Sequence, residues 1–192
     1  MAIIKTPVWR LALVAAMHRN RSLSYSRYLQ LATVRLDGRP ANRTVVFRGF
    51  MTKGDRLKFV TDTRSQKVIE IAENPWGEAC WYFPKTREQF RISGQLTIVE
   101  YAEHLCDQSW QELSEAAKSQ FFWPDPGQQR RDSGHANFDP PDPIPQQPPP
   151  NFSVLLLTPE RVDHLQLRGE PQNRTIYDAQ SNGTWKGKAV NP

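Results

Sequence analysis

Five residues between positions 43 and 67 carry the side chains that a phosphate site needs. Ser65, Gln66 and Lys67 occupy the first turn of a predicted helix, while Arg43 begins a predicted strand and Thr61 ends another. The first turn of a helix has unpaired N–H groups and the positive end of the helix dipole, so hydroxyls and a lysine there favour a phosphate dianion. Arg43 could add a two-pronged hydrogen bond from its strand. On spacing alone, a capped surface helix with solvated charges explains the same residues.

The first half of the chain alternates short strands with tight turns. Asp37-Gly38 is a strong hairpin signal, and it joins a predicted strand at 29–36 to a partner at 43–50. A third strand is predicted at 57–61. Short strands joined in this way predict an antiparallel barrel or sandwich rather than an α/β sheet.

Three segments with an apolar side predict helices around these strands. The first covers 7–18, with Thr6 available as its N-cap. Thr63 and Gln66 have the spacing of a capping box, which predicts the start of the second helix. The third helix is predicted at 102–118.

The remainder of the chain is predicted to be strands and one long loop. Nine of the sixteen prolines fall within 124–150, which excludes helix and central strand there, so we predict an irregular, largely extended surface loop. The strand at 88–101 is long enough to bend around a barrel at Gly94. The further strands are predicted at 78–83, 88–101, 152–158, 162–167, 174–178 and 184–190.

The composition narrows the class of protein. A chain of 192 residues is long enough for one domain with a sizeable core. The net charge of +5 suits a phosphorylated ligand, although solubility explains it more simply. Cys80 and Cys106 form no CxxC pair, which fits a reducing, cytoplasmic setting. No apolar run approaches the roughly 20 residues of a membrane span, so we expect no membrane contact.

Other chemistries have little support in the sequence. The basic residues are dispersed, without the stripe of interleaved aromatic residues that nucleic-acid binding favours. The four histidines are scattered and form no HxH or HxxxH pair, so no metal site is expected. The sequence contains neither the GxSxG motif of a serine nucleophile nor a phosphate-binding P-loop. No catalytic residue can be assigned from these patterns.

An ordered set of short motifs runs through the chain. From position 43 to position 94 it comprises Arg43-Thr44-Val45-Val46-Phe47-Arg48, Phe59-Val60-Thr61, Ser65-Gln66-Lys67, Asn74-Pro75 and Arg87-Glu88-Gln89-Phe90-Arg91-Ile92-Ser93-Gly94. Towards the C-terminus follow Thr158-Pro159, Arg174, Trp185-Lys186 and Asn191-Pro192. In order and spacing this set resembles the signature of the pyridoxamine 5′-phosphate oxidase family. The match covers most of the chain from residue 29 onward.

The resemblance implies an α+β, mainly β fold. The expected architecture is a single FMN-binding split β-barrel domain over 1–192, with a few peripheral helices and the proline-rich loop at 124–150. The resemblance further implies a homodimer that binds flavin mononucleotide (FMN) at the interface between its subunits.

The resemblance also implies which residues would contact the flavin. The FMN phosphate would be held by Arg43, Ser65, Gln66 and Lys67. The flavin would be lined by Thr44, Val45, Val46, Val60 and Thr61. Gln89 would hydrogen-bond the isoalloxazine or its ribityl chain, and the other subunit would supply Gln128 and Arg174. An arginine at the N1/C2 edge would stabilise the negative charge of the reduced ring.

The chain departs from the family where the substrate is expected to bind. The Arg-x-His element that precedes the position of Arg174 in the family is missing, and Leu165 stands near the position of a family tryptophan. Arg48 replaces a substrate-contacting lysine, which keeps the charge and changes its shape. In the family a tyrosine, an arginine and a serine contact the substrate. Of these three, only the serine has a plausible counterpart in this chain, Ser119. The motifs that bind the cofactor in the family are therefore kept, and those that bind its substrate, a phosphorylated form of vitamin B6, are not.

These observations predict an FMN-dependent oxidoreductase that acts on an unidentified small molecule. One alternative is an authentic pyridoxamine or pyridoxine 5′-phosphate oxidase. A second alternative, from another class, is a flavin-binding carrier or sensor module without turnover.

Overall fold

The computed structural model describes residues 6–99, 101, 103–130 and 138–192, which form four α-helices, one short 3-10 helix and nine strands. The helices are α1 Val8–Asn20, α2 Gln66–Glu73, α3 His104–Gln111 and α4 Glu115–Ser119, with the 3-10 turn at Gln120–Phe122. The strands are β1 Tyr28–Val34, β2 Pro40–Val46, β3 Gly49–Phe50, β4 Leu57–Asp62, β5 Trp76–Phe83, β6 Glu88–Ile98, β7 Phe152–Gln166, β8 Asn173–Ala179 and β9 Trp185–Val190. No helix in the described ranges is long and apolar enough to cross a membrane.

The strands form one curled antiparallel sheet in the order β2-β1-β5-β6-β7-β4-β3, and β8 and β9 continue from β7. Strand β7 is central because its first half pairs with β4 and its second half with β8, while β6 lies along both halves. The sequence predicts two strands here, at 152–158 and 162–167, and that prediction is wrong. The pairing of β7 with β6 continues through Pro159, and a β-bulge opposite Ser93 and Gly94 accommodates the shift in register.

The predicted hairpin at Asp37-Gly38 is confirmed. Gly38 has φ +80°, and two backbone hydrogen bonds of 2.8 Å close the turn, from the Arg35 amide to the Arg39 carbonyl and from the Gly38 amide to the Arg35 carbonyl. The partner strand is shorter than the predicted 43–50. After β2 the chain no longer pairs with β1, and Gly49–Phe50 pairs with β4 instead. The left-handed φ of +123° at Gly49 permits this change of direction.

The predicted helix starts are corrected by the structure. The N-cap of α1 is Pro7 rather than Thr6, and it makes no side-chain capping bond. The capping box of Thr63 and Gln66 does not form, because α2 begins at Gln66 after an extended Ser65. The helix predicted at 102–118 is two helices, α3 and α4, since the chain turns extended at Ser114. Residue 102, where that prediction begins, lies outside the described residues.

Strict alternation along β5 and β6 gives the sheet an inner and an outer face. Trp81, Phe83, Phe90 and Ile92 are almost fully buried and form the core within the curl, together with Trp9 of α1. A second buried cluster lies between α3 and the start of β7. The outer face carries polar side chains such as Gln89, Arg91 and Ser93.

The proline-rich segment contains no α-helix or strand in its described parts, 124–130 and 138–150, as the sequence predicts. Its second part is fixed against the second core. The Trp110 indole N–H donates to the carbonyl of Pro145 at 3.1 Å, and the Tyr101 hydroxyl donates to that of Pro148 at 3.0 Å. The segment therefore follows a defined course over the surface.

Candidate functional site

A cavity of about 1330 Å³ opens between strands β2 and β4 and the segment that follows α4. Its walls are formed by β2, the end of β4, the first turn of α2 and the segment 120–130. Ligand sites for small molecules usually enclose roughly 300–1,000 Å³. The cavity is therefore large enough for more than one small ligand.

At one end of the cavity an ammonium group and two hydroxyls converge. Lys67 Nζ donates to Thr61 Oγ1 at 3.1 Å and to Ser65 Oγ at 2.7 Å. The Ser65 hydroxyl in turn donates to the Asp62 carbonyl at 2.6 Å, which fixes the turn between β4 and α2. These groups sit at the N-terminus of α2, where the helix dipole adds positive potential. The arrangement suits an oxyanion.

Arg43 reaches the same wall from β2. Its guanidinium donates to Glu70 Oε2 at 2.8 Å, to Thr33 Oγ1 at 2.5 Å and to the Leu31 carbonyl at 3.1 Å. Glu70 is only 1% exposed and also accepts from the Thr33 hydroxyl at 2.6 Å. Arg43 thus ties β2 to α2 as well as lining the cavity, so part of its hydrogen-bonding capacity is already used.

The electrostatics of this end favour a bound anion. Burial lowers the pKa of Lys67 below its ordinary value, and the charge of Arg43 lowers it further, although Asp62 and Glu70 oppose the shift. No carboxylate in the described part of the chain lies within ion-pair distance of Lys67. A half-buried ammonium beside a guanidinium is stabilised when an anion binds between them.

Most of the residues predicted from the sequence meet at this cavity. Ten of them line it, namely Arg43, Thr44, Val45, Val46, Arg48, Val60, Thr61, Ser65, Lys67 and Gln128. Gln128 does so in the cavity of its own chain. Gln66 is exposed at the helix start and is not part of the wall. Ser119 also lies outside it, with its hydroxyl donating to the Ala116 carbonyl at 3.0 Å.

Gln89 and Arg174 lie elsewhere, on the outer face of the sheet. They stand in one cross-strand row with Tyr82 and Leu165, because these four residues are register partners across β5, β6, β7 and β8. Arg174 donates to Asp163 at 3.0 and 2.8 Å, and this pairing lowers the pKa of the Asp163 carboxyl. Five strand spacings separate β2 from β8, or about 24 Å along the sheet.

Several cavity residues were not found from the sequence. Arg27 and Tyr28 line the wall beside β2, and Arg64 lines the cavity just before the N-cap of α2. Isolated arginines and a single tyrosine carry no spacing signal, and only tertiary contacts bring these three to the cavity. The basic Arg64-x-x-Lys67 spacing is visible in the sequence, but it does not indicate which of the two residues faces a ligand.

Arg64 fixes the outer wall of the cavity. Its guanidinium forms hydrogen bonds with Asp62 as short as 2.6 Å, an ion pair with Asp125 at 2.8 Å, and a bond to the Trp123 carbonyl at 3.1 Å. Asn151 supports the same junction by donating to Asp62 and to the Phe121 carbonyl, both at 2.9 Å. One arginine thereby joins the end of β4 to the segment that covers the cavity.

We expect Arg64→Gln to loosen segment 121–128 while the sheet stays intact. Loss of a charged hydrogen-bond network costs roughly 1.5–3 kcal/mol per bond, so amide hydrogen exchange in this segment should accelerate about tenfold or more. Arg39→Gln is the matched control, because Arg39 pairs with Asp37 within an exposed hairpin and holds no other segment. Equal exchange rates in segment 121–128 for both variants would contradict this role of Arg64.

Comparison with known proteins identifies the family. Residues 6–100 match the family model of the pyridoxamine 5′-phosphate oxidase FMN-binding domain. The chain is 36% identical, over 96% of both lengths, to pyridoxine/pyridoxamine 5′-phosphate oxidase 2 of Arabidopsis thaliana. It therefore belongs to the pyridoxamine 5′-phosphate oxidase family.

Solved structures show the same fold. A pyridoxamine 5′-phosphate oxidase-related, FMN-binding protein of Nostoc punctiforme superposes with a TM-score of 0.91 at 52% identity, covering 98% of this chain and 100% of that one. PhzG of Burkholderia lata, solved with tetrahydrophenazine-1-carboxylic acid, gives a TM-score of 0.79 at 24% identity, with 96% and 90% covered. The curled sheet is thus the mainly-β split barrel of this family, and the fold class expected from the sequence is confirmed.

Proposed function

We propose that this protein binds FMN and, as a homodimer, catalyses the oxidation or reduction of a small molecule. The observation that carries the proposal is the convergence of Lys67, Thr61 and Ser65 with Arg43 at one end of a cavity lined by β2. A phosphate monoester needs several donors and positive charge together, and this donor set has both. The FMN-binding description of the 52%-identical Nostoc protein supports the same cofactor.

The residues of the cavity suggest how the cofactor would be held. Lys67 would hold the phosphate, together with the Ser65 hydroxyl once it turns away from the Asp62 carbonyl. Arg43 would contribute the guanidinium donors that Glu70, Thr33 and Leu31 leave available. The backbone and side chains of Thr44–Val46 and Val60 would line the flavin. When bound, FMN supplies the hydride acceptor, and the protein contributes binding, orientation and electrostatics. Gln66 has less support than its neighbours because its side chain is exposed.

The positions of Gln89 and Arg174 support the homodimer. Neither Gln89 nor Arg174 lines the cavity of its own chain. A two-fold symmetric partner would present the same outer face, and its Gln89 or Arg174 could then approach the cavity. The Asp163 carboxylate already holds the Arg174 side chain in one orientation. A single domain over 1–192 is part of this proposal.

The substrate is unidentified, and the geometry favours Arg48 over Ser119 as a residue that contacts it. Arg48 lines the cavity, whereas Ser119 lies outside it and its hydroxyl is bonded to its own helix. Neither cysteine forms a disulfide, which supports a cytoplasmic location.

Purification followed by flavin analysis tests the proposed function. We expect a yellow protein that releases FMN on denaturation, and sedimentation at twice the mass of the chain. Flavin-free protein should bind FMN more tightly than riboflavin, because riboflavin lacks the phosphate. A preparation that remains colourless with excess FMN would rule out the proposal.

Authentic pyridoxine or pyridoxamine 5′-phosphate oxidation is the second candidate, since the Arabidopsis relative that matches over nearly its full length bears that name. Oxygen-dependent formation of pyridoxal 5′-phosphate by FMN-loaded protein would establish it. A carrier or sensor role remains the third candidate. Bound FMN that no nicotinamide or amine donor can reduce would favour that role.

A further inference from the structure

Residues 123–130 form the thinnest part of the cavity wall. All eight of them line the cavity, and all eight are exposed to solvent. None belongs to a helix or a strand, so no ladder of backbone hydrogen bonds holds the segment. The wall on the other side is formed by β2 and β4, which pair with β1 and β7. The segment is therefore the part of the wall that can move at the lowest cost.

The chain just before this segment is fixed to the second core. The ring of Phe121 packs edge-to-face against Phe152 with centroids 4.9 Å apart, and against Trp110 at 5.8 Å. The carbonyl of Phe121 accepts a hydrogen bond from the Asn151 amide at 2.9 Å. A movement of the segment would therefore begin after the 3-10 turn, and α4 would stay in place.

Arg64 makes the contacts that hold the segment closed. Its guanidinium donates to the Trp123 carbonyl at 3.1 Å and forms the ion pair with Asp125 at 2.8 Å. Among residues 6–99, 101, 103–130 and 138–192, no other hydrogen bond or ion pair joins residues 123–130 to the sheet or to α2. The closed position of the segment thus depends on one side chain.

Arg64 is bound more firmly to Asp62 than to Asp125. Three hydrogen bonds of 2.6, 3.0 and 3.2 Å join its guanidinium to the Asp62 carboxylate, and its backbone amide donates to the same carboxylate at 2.8 Å. The side chain of Asp62 is 18% exposed, whereas that of Asp125 is 60% exposed. Exposed ion pairs are weak and are screened by salt. Opening would therefore break the contacts with Asp125 and Trp123 and leave Arg64 on Asp62.

This contact lies at the end of the cavity where the donors converge. Arg64 directly precedes Ser65, whose hydroxyl accepts from Lys67 at 2.7 Å. The backbone carbonyl of Asp62 fixes the same hydroxyl at 2.6 Å, while the carboxylate of Asp62 holds Arg64. The segment is thus tied down beside the groups that suit an oxyanion.

We propose that residues 123–130 are a lid over the Lys67 end of the cavity, and that the ion pair between Arg64 and Asp125 is its latch. The lid controls how fast a phosphorylated ligand enters and leaves. The choice of FMN as that ligand rests on the proposed function, whereas the lid rests on the contacts of Arg64. Because the latch holds the lid rather than the ligand, its loss speeds entry and release together and changes the affinity little.

Stopped-flow fluorescence tests the latch when flavin-free protein is mixed with a series of FMN concentrations. The slope of the observed rate against concentration gives the association rate constant, and the intercept gives the dissociation rate constant. We expect Asp125→Asn to raise each of them about threefold or more, and to change their ratio by less than about twofold. Raising the KCl concentration should speed dissociation from the parent protein more than from this variant.

Two further proteins serve as controls. Asp37→Asn removes the same charge from another exposed ion pair, that with Arg39, outside the cavity wall, and its rate constants should match those of the parent protein. In an Arg64→Gln background, Asp125→Asn should have no further effect, because the latch is already lost.

Unchanged rate constants in Asp125→Asn would overturn the latch. Faster dissociation with unchanged association would also overturn it, because that pattern indicates a lost contact with the ligand. Amide hydrogen exchange of residues 123–130 in flavin-free protein tests the lid without FMN, and exchange that is no faster in Asp125→Asn than in Asp37→Asn would overturn the lid. Faster exchange in a protein that never binds FMN would support the lid and overturn the flavin assignment alone.

Discussion

Replacing Lys67 with methionine is expected to weaken FMN binding by one to two orders of magnitude and to leave riboflavin binding nearly unchanged. A charge-assisted hydrogen bond contributes roughly 1.5–3 kcal/mol, and every 1.4 kcal/mol is about a factor of ten in affinity. The methionine keeps the length of the aliphatic stem and removes the ammonium that bonds Thr61 and Ser65. Fluorescence titration of flavin-free protein with each flavin measures both affinities.

The same variant should not be less stable in the absence of flavin. Folding disfavours the charged form of Lys67, as the lowered pKa indicates, so an apolar side chain of similar size removes an unfavourable burial. Thermal unfolding of flavin-free protein provides this control. An equal loss of FMN and riboflavin affinity, or no loss of either, would show that Lys67 does not bind the phosphate.

Lys67 is a cleaner test than Arg43, although both are expected to contribute. Removal of the Arg43 guanidinium would leave the carboxylate of Glu70, which is 1% exposed, without its ion-pair partner. An uncompensated buried charge destabilises the fold by several kcal/mol. Weaker FMN binding in an Arg43 variant would therefore combine the lost phosphate contact with a general loss of structure.

The second large effect is expected at Gly94, where alanine should destabilise the fold by about 3 kcal/mol. A Cβ atom added there would overlap the carbonyl oxygen of Thr158, with the carbonyl carbon of Thr158 at 2.9 Å and Cα of Pro159 at 3.0 Å. These are backbone atoms of the central strand β7, and they cannot move without breaking the ladder on either side. Urea unfolding measures the difference in the free energy of unfolding.

Gly77→Ala is the matched control on the neighbouring strand β5. Its added Cβ would overlap the side chain of Leu96, which can change rotamer, and would lie 3.1 Å from the Ala32 carbonyl oxygen, the one backbone atom nearby, so we expect a loss of roughly 1 kcal/mol. If Gly94→Ala were no more destabilising than Gly77→Ala, the close approach of β6 and β7 would not be a constraint on this fold.

Local signals in the sequence predicted the parts of the fold that local chemistry decides. The Asp37-Gly38 turn was predictable because an aspartate and a glycine there have few other conformations available. The cluster of Thr61, Ser65 and Lys67 was predictable because its members lie within seven positions of each other. The separation of α3 from α4 was not, since apolar spacing continues across the break at Ser114.

Long-range pairing accounts for what the sequence did not reveal. The bond from Arg43 to Glu70 joins residues 27 positions apart, and no motif marks a glutamate as its partner. Arg27 and Arg48 become neighbours only when β1 and β2 pair. The resemblance implies that Gln89 lies with the flavin residues and that Gln128 and Arg174 come from the other subunit. In the single chain Gln128 lines the cavity, whereas Gln89 and Arg174 do not, and motif order alone does not reveal this.

Strand β7 has a consequence for how this protein tolerates rearrangement. The stretch from Thr158 to Arg161 looks like a linker, since it contains a proline and two charged residues. From the sequence it would be judged a suitable site for inserting a reporter protein or for splitting the polypeptide into two fragments. Its neighbours hold it on both sides of the bulge, so such an edit would at once detach β4, with the Thr61 end of the cavity, from β8, which carries Arg174. Because β7 runs without a break through both halves of the sheet, neither half can be replaced independently of the other.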